Sequence, residues 1–544
     1  MHDGSSIARR LVVVACLAAV AGSARAEQPA PAGQSPGALP TIGTISITSN
    51  DIFDLDRPHE NRALFRLANR LHVRTRPDVI RQQLLFDTGD SYSRQSLEES
   101  ERILRSNRYI QEVSLRPIRR GDGTVDVDVT TSDVWTLMPK VAFSHSGGAS
   151  NTAIGIKEMN VLGTGIAVEA MLKSDVDRDS AVLKVVDRNL GQSWYRLATS
   201  FAQNSDGHEY ALEIGKPFYS LNSTDALGLS VLDADRLETL YDLGDIASDF
   251  RHESRGLEVF FGRSAGLRNS WARRVTFGAA FADHSYSDSG ETLPAILPLM
   301  QDRRLVYPFV GLEFVEDRYD KASNLDQIHR VEDRYLGTRA SARLALAREE
   351  FGSDRNAWLL DLRAQTGFGS SERSSLLLAA DVTTRLERDG PQNLLFGVSA
   401  KYYKRQSERR LLFVGVSGTY SHNPDLEQYL PLGGDNGMRG YPIRFQSGDK
   451  RALLTVEQRL FTDWHPFRLF RVGAAAFFDV GRTWGATPLS EASHTWLSDV
   501  GFGLRLGSTR SGLGRMIHVD VAFPLSGRQD IDDIQFLVST RKSF

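Results

Sequence analysis

The chain has 544 residues, with 65 Lys and Arg against 68 Asp and Glu, a formal net charge of −3 and 41% hydrophobic residues. That length exceeds what one compact core holds, so at least two structural units are expected. The near-neutral charge excludes the basic excess of a nucleic-acid binder and the acidic excess of a disordered tail, and a single cysteine, Cys16, excludes an internal disulfide or a thiolate metal cluster.

Arg9 and Arg10 precede the apolar run 11–20, which gives way to small residues and Ala24-Arg25-Ala26. These are the charged, apolar and small-residue regions of a secretory signal peptide, 1–26, with cleavage before Glu27. A lipoprotein box at Cys16 would have too short an apolar region, and the arginine pair lacks the rest of a twin-arginine signal. After residue 26 no apolar stretch reaches the roughly 18 residues that a membrane-spanning helix needs, so any crossing must be made by strands. Residues 27–40 hold Pro29, Pro31, Pro36 and Pro40 among Ala, Gly, Gln and Ser, which predicts a flexible leader.

From Thr41 to Pro139 the pattern is mixed. Ile42, Ile45 and Ile47 predict a strand, Glu60 to Arg70 and Pro77 to Phe86 helical segments, and Ser93 caps a helix with Leu97, Glu101 and Leu104 at helical spacing and Ile103 beside them. Two strands follow through Gly121-Asp122-Gly123: one carries Val113 and Leu115, the other Val125, Val127 and Val129 alternating with Asp126 and Asp128. The sum is a small α+β domain, 41–139, of β-α-α-β-β order. Its candidate edge strands are Val113 to Pro117 and Val125 to Thr131.

Residues 140–544 are short alternating segments between loops rich in Gly, Asp, Asn and Ser. Val275, Phe277, Ala279 and Phe281 share one face. Leu454, Val456 and Leu460 lie opposite Thr455, Glu457 and Arg459; Val472, Ala474, Ala476, Phe478 and Val480 lie opposite Gly473, Ala475, Phe477, Asp479 and Gly481. Val500, Phe502, Leu504 and Leu506 alternate with Gly501, Gly503, Arg505 and Gly507, and Ile517, Val519, Val521 and Phe523 with His518, Asp520 and Ala522. Ile534, Phe536, Val538, Thr540, Lys542 and Phe544 close the chain at period two. A soluble sandwich also alternates. The export signal, the unbroken length and inner faces rich in glycine and charge instead predict a transmembrane β-barrel of about 16 antiparallel strands with a polar lumen.

The segment Leu432-Gly433-Gly434-Asp435-Asn436-Gly437-Met438-Arg439-Gly440-Tyr441 resembles the lumen-loop motif of the Omp85 superfamily of outer-membrane insertases and translocators, of the surface antigen D15 type, with Met438 where Val or Ile is usual. Phe478-Asp479-Val480-Gly481 is similar to the superfamily's later strand motif, Glu158 to Gly165 to its first barrel hairpin, and Phe544, with Phe536 and Val538, to its C-terminal assembly signal. The module at 41–139 resembles a POTRA domain, with room for one where relatives of known role carry more. The resemblance implies that Asp479 pairs with Arg439, that the 41–139 domain is periplasmic, and that outer-membrane lipid and unfolded client polypeptide are the partners, with accessory assembly proteins a further class it allows.

The residues make their own case for this pair. A glycine-rich loop can fold back and present one long cation inside a barrel, and that cation needs an acceptor, for which Asp479 and Glu457 face inward. Without the resemblance, an outer loop with a solvated arginine is the simpler account.

The leading function is polypeptide insertion or translocation, with the module capturing clients by strand addition and the seam lying near Gly155 to Glu169 and Ile534 to Phe544. The alternative is a passive solute channel, which has no need of the module. A hydrolase is not expected: His145, His208, His284, His329 and His518 are isolated, and G-x-S-x-G and H-E-x-x-H are absent. With no cysteine cluster, close histidine pair or phosphate loop, neither metal nor cofactor is expected, and nucleic acid is not a partner.

Overall fold

The computed structural model describes residues 40–146, 149–487, 489, 491–493, 495–511, 516–526 and 531–541. The expected signal peptide, the leader before Pro40 and the terminal Phe544 lie outside the described residues.

The N-terminal module runs β1 (Ile42–Asn50), α1 (Ala63–Leu71), α2 (Pro77–Arg81), α3 (Arg94–Arg105), β2 (Ile110–Arg119) and β3 (Val125–Asp133), with three helices where the β-α-α-β-β order has two. Ser93 caps α3 by accepting from the Ser96 N–H at 3.3 Å, and Leu97 and Leu104 turn inward. They join Ile42, Ile45, Ile80, Tyr109, Leu115, Val127 and Val129 in one core. The sheet order is β1-β3-β2, with β1 parallel and β2 antiparallel to β3. Val125 to Thr131 is therefore the central strand and not an edge. Its valines are at most 2% exposed, as a strand covered on one face and paired on both sides requires. The parallel pairing depends on the helical crossover, which strand alternation does not reveal.

Among the described residues, twenty strands of 7 to 24 residues form one antiparallel sheet from Leu137–Ser146 to Gln535–Arg541, to which the three-residue strand Glu491–Ser493 also pairs. Leu137 to Pro139 belong to the first of these strands, so the sheet begins slightly before residue 140. Among the described residues the last strand returns to the first through one residue pair, Val538 with His145, whereas its other neighbour is met over seven. The expected sixteen strands fell short because several connections are tight. Asn204 pairs with Gly207, Asp242 with Asp245, Glu387 with Gly390 and Ser407 with Arg410, and two-residue turns leave more chain for strands.

Outward-facing side chains include Ile154, Leu172, Phe201, Phe277, Phe368, Val416, Phe502 and Phe536, all exposed. Inward-facing ones include the ion pairs Lys157–Glu169, Arg274–Glu313 and Arg343–Glu258. Val472, expected to face outward, is buried beneath the 462–469 connection, where its N–H donates to the Trp464 carbonyl. No helix among the described residues is long and apolar enough to cross a membrane.

The module packs against connections at one end of the sheet. Asn160, in the Glu158 to Gly165 turn, donates to Thr75 at 2.8 Å; Glu99 accepts from the Leu221 N–H at 2.8 Å; Arg105 donates to Asp333 at 2.6 Å; and Arg510 donates to Glu60 at 2.6 Å. Gly163 fits because a side chain there would meet the Arg74 carbonyl at 2.3 Å, and its φ is +74°. The turn that reads as a hairpin motif is thus a docking surface for the module.

Candidate functional site

Two long connections fold into the interior from opposite ends. Residues 423–449, at the end away from the module, carry a short hairpin in which Leu430 pairs with Gly448 and Leu432 with Gln446. Its tip is self-bracing: Asn436 accepts from the Gly433 N–H at 2.6 Å and donates to the Pro431 carbonyl at 2.9 Å, and the Met438 N–H donates to the Gly433 carbonyl at 2.9 Å. Gly433 is required by close approach, since a Cβ would lie 2.3 Å from the Pro442 carbonyl. Leu432, Met438, Tyr441 and Phe445 pack with Leu497 as an apolar knob. On the wall, a side chain at Gly481 would come within 2.9 Å of the Met438 sulfur. The glycine of the strand motif is a socket for the knob.

Arg439 emerges from this knob at 2% exposure. Its Nε and Nη2 donate to the two carboxylate oxygens of Asp479 at 2.7 and 2.9 Å, its Nη1 donates to Glu457 at 2.8 Å, and its guanidinium stacks 3.5 Å from the Phe477 ring centroid. The next residue adds a contact, the Gly440 N–H donating to Asp499 at 2.9 Å, while the Tyr441 hydroxyl donates to the Ser498 carbonyl at 2.8 Å. A bidentate pair with a third acceptor and no water-facing edge holds one geometry. Removing one partner of such a buried set costs about 3–5 kcal/mol, because the other charge is stranded.

Residues 317–338 enter from the module end. Leu325 and Ile328 pack on Tyr403, Leu411, Phe461, Ala475 and Met516. Asp326 accepts from Arg459 at 3.0 Å, from Arg334 at 2.9 Å and from the Tyr403 hydroxyl at 3.2 Å. Arg459 also donates to Glu457 at 3.0 Å. The two connections are consequently joined by a continuous chain of alternating charge: Asp479, Arg439, Glu457, Arg459, Asp326, Arg334. At the module end, Arg102 and Arg105 of α3 pair with Asp317 and Asp333 of the same connection.

Of the residues singled out by sequence, Gly433, Gly434, Met438, Arg439, Gly440, Tyr441, Glu457, Asp479 and Gly481 come together here. Phe478, Phe536 and Val538 do not. Phe478 and Phe536 point outward, and Val538 lies at the seam. Asp326, Arg334, Tyr403 and Asp499 went unread, and Phe477 was placed on the inner face without a role. The usable signal for Asp326 was the interruption of strand texture between Glu316 and Arg339, longer than a hairpin needs.

Beside the seam is a cavity of about 1010 Å³ whose lining includes Arg108 of the module, Lys157, Glu169 and Met171 of the second and third strands, and Val538 and Thr540 of the last. Elsewhere the expectation of no close histidine pair is overturned. His252 and His284 sit 3.0 Å apart near Glu427, brought together by adjacent strands rather than by sequence spacing. The cluster is tied into neighbouring groups, with Glu238 3.5 Å from His252 and with Tyr286 and Arg303 donating to Glu427 at 2.7 and 3.1 Å.

No family model and no curated protein matches the sequence. Among solved structures the chain is similar to BamA from Haemophilus ducreyi lacking POTRA domains 1–3, at 11% identity over 93% of this chain and 85% of that one, with a TM-score of 0.40. It is similar to CdiB from Escherichia coli at 13% identity over 92% and 76%, TM-score 0.46, and to the alcaligin outer-membrane receptor FauA from Bordetella pertussis at 13% over 78% and 74%, TM-score 0.35.

Proposed function

We propose that the chain is an outer-membrane β-barrel that inserts or translocates polypeptides, its N-terminal module lying in the periplasm and capturing unfolded clients by strand addition. The observation that carries this reading is the seam. Every other junction in the ring is a multi-residue ladder, while among the described residues the last and first strands share one pair. In lipid, an unpaired strand edge is costly because no water satisfies its N–H and C=O groups. A client strand that adds to that edge satisfies them whatever its side chains are, which suits a machine with many clients. The cavity beside the seam reaches Arg108, two residues before edge strand β2, and gives a captured segment a route from module to seam.

A passive channel is disfavoured by the two connections that meet in the interior and by the module at one mouth. In the translocation reading, the Arg439 contacts hold the 423–449 loop as a fixed inner post beside the last strands. The test compares the outer-membrane and secreted proteomes of a strain lacking the gene with its parent, and then with strains complemented by wild type or Arg439→Ala. Loss of several barrels identifies an insertase and loss of one secreted protein a dedicated translocator. In either case the variant should fail to restore delivery while still giving a heat-modifiable barrel on gels. Unchanged proteomes would reject the reading.

A further inference from the structure

Helix α1 has three kinds of face. Phe65 and Ala68 pack inward with Ile52, Phe53, Trp135 and Leu469. Arg62, Arg66 and Arg70 form an exposed basic stripe at i, i+4, i+8. The third stripe, Leu64, Leu67 and Leu71 at i, i+3, i+7, is apolar yet 65, 51 and 63% exposed, and Val73 continues it. It opens into an apolar groove of about 320 Å³ whose opposite wall is Leu469 and Phe470, the start of a ring strand. On the connection just before that wall, Trp464 is 64% and Phe467 78% exposed. A soluble surface seldom leaves so many large apolar groups together in water.

We infer that α1 is an interfacial membrane helix, its leucine stripe lying in the head-group region of the same bilayer leaflet that meets the module end of the ring. The inference rests on the outer-membrane reading above. Continuity selects lipid as the occupant. The groove, predominantly apolar with Ser508, Arg510 and Ser511 also in its lining, runs onto the ring at Leu469 and Phe470, and the ring's outer wall carries exposed aliphatic and aromatic side chains. Trp464 and Phe467 stand where ring-bearing residues anchor to an interface. The arginine stripe supplies a cationic flank that favours anionic head groups. Lying there, α1 would fix the height and orientation of the module, and with it the direction from which a client strand approaches the seam.

The test uses the full chain, with its only cysteine, Cys16, changed to Ser, reconstituted in vesicles of phosphatidylethanolamine and phosphatidylglycerol. An environment-sensitive fluorophore is placed at Leu67→Cys, Arg66→Cys or, on the outer wall, Phe502→Cys. A head-group nitroxide lipid should quench the Leu67 label by about half or more, and aqueous iodide should quench it about five-fold less than the Arg66 label. The Phe502 label should be quenched by a nitroxide placed deep in the acyl chains. If Phe502 is quenched and Leu67 is open to iodide, the helix inference fails and the barrel reading stands. If Leu67 is shielded from iodide but out of reach of lipid nitroxide, protein covers it, a second copy or a client, and lipid is rejected. If neither site meets lipid, both readings fall.

Discussion

The two connections that enter the interior are built by opposite strategies. The 423–449 loop brings a cation to acidic wall residues, Arg439 to Asp479 and Glu457, on a rigid tip braced by its own glycines and Asn436. The 317–338 loop brings an anion, Asp326, to the wall cation Arg459 and adds its own Arg334. They meet at Glu457 and Arg459, neighbours on the inner face of one strand and bonded to each other at 3.0 Å. Loops entering from opposite ends with opposite charge can therefore stabilise one another through two wall residues, and each is a conditional partner of the other.

Breaking either loop should reveal that conditionality. The largest effect is expected from Arg439→Ala, which strands Asp479 and Glu457 and should cost about 3–5 kcal/mol of loop docking, read as trypsin cleavage within 423–449 while the barrel remains folded. Asp326→Asn leaves Arg459 and Arg334 with weakened acceptors and should cost about 2–4 kcal/mol, seen as faster hydrogen exchange across 317–338. Glu332, in the same loop, is pushed up to about 7 by burial and by the neighbouring Asp326 charge. Because the folded-state value is raised, this carboxyl's contribution to docking is fully present below the ordinary glutamate range and lost as pH rises through about 7. Exchange across 317–338 should therefore be slower at pH 5 than at pH 8, by about 2–3 kcal/mol at most, and Glu332→Gln should flatten the difference. The smallest effect belongs to Gly481→Ala, which crowds Met438 and should loosen the far loop alone by about 1–2 kcal/mol, measured by the same trypsin assay.

The loops differ as much in legibility. Arg439 could be read because its glycine-rich setting is unusual, and Asp479 and Glu457 because strand alternation fixes which side chains face inward. The same alternation gave Phe478 and Phe536 their outward direction. Asp326 sits in an unremarkable Asn-Leu-Asp stretch, and its wall partners Arg459 and Tyr403 come from strands far along the chain, so no local pattern marks it. His252 and His284 escaped for the same reason, being neighbours only across a ladder. The strand count was misjudged because loop length was assumed where two-residue turns occur. The centre of the module's sheet was misplaced because a helical crossover, invisible to alternation, puts β3 between β1 and β2.

The most direct test of the shared junction is single-channel conductance in planar bilayers for wild type, Arg439→Ala, Asp326→Asn and the double variant. Two mutually supporting loops predict a mostly closed wild type, intermittent opening in each single variant, and in the double variant an open probability clearly different from the product expected of independent loops. A wild type that conducts steadily, with none of the variants changing it, would contradict the account.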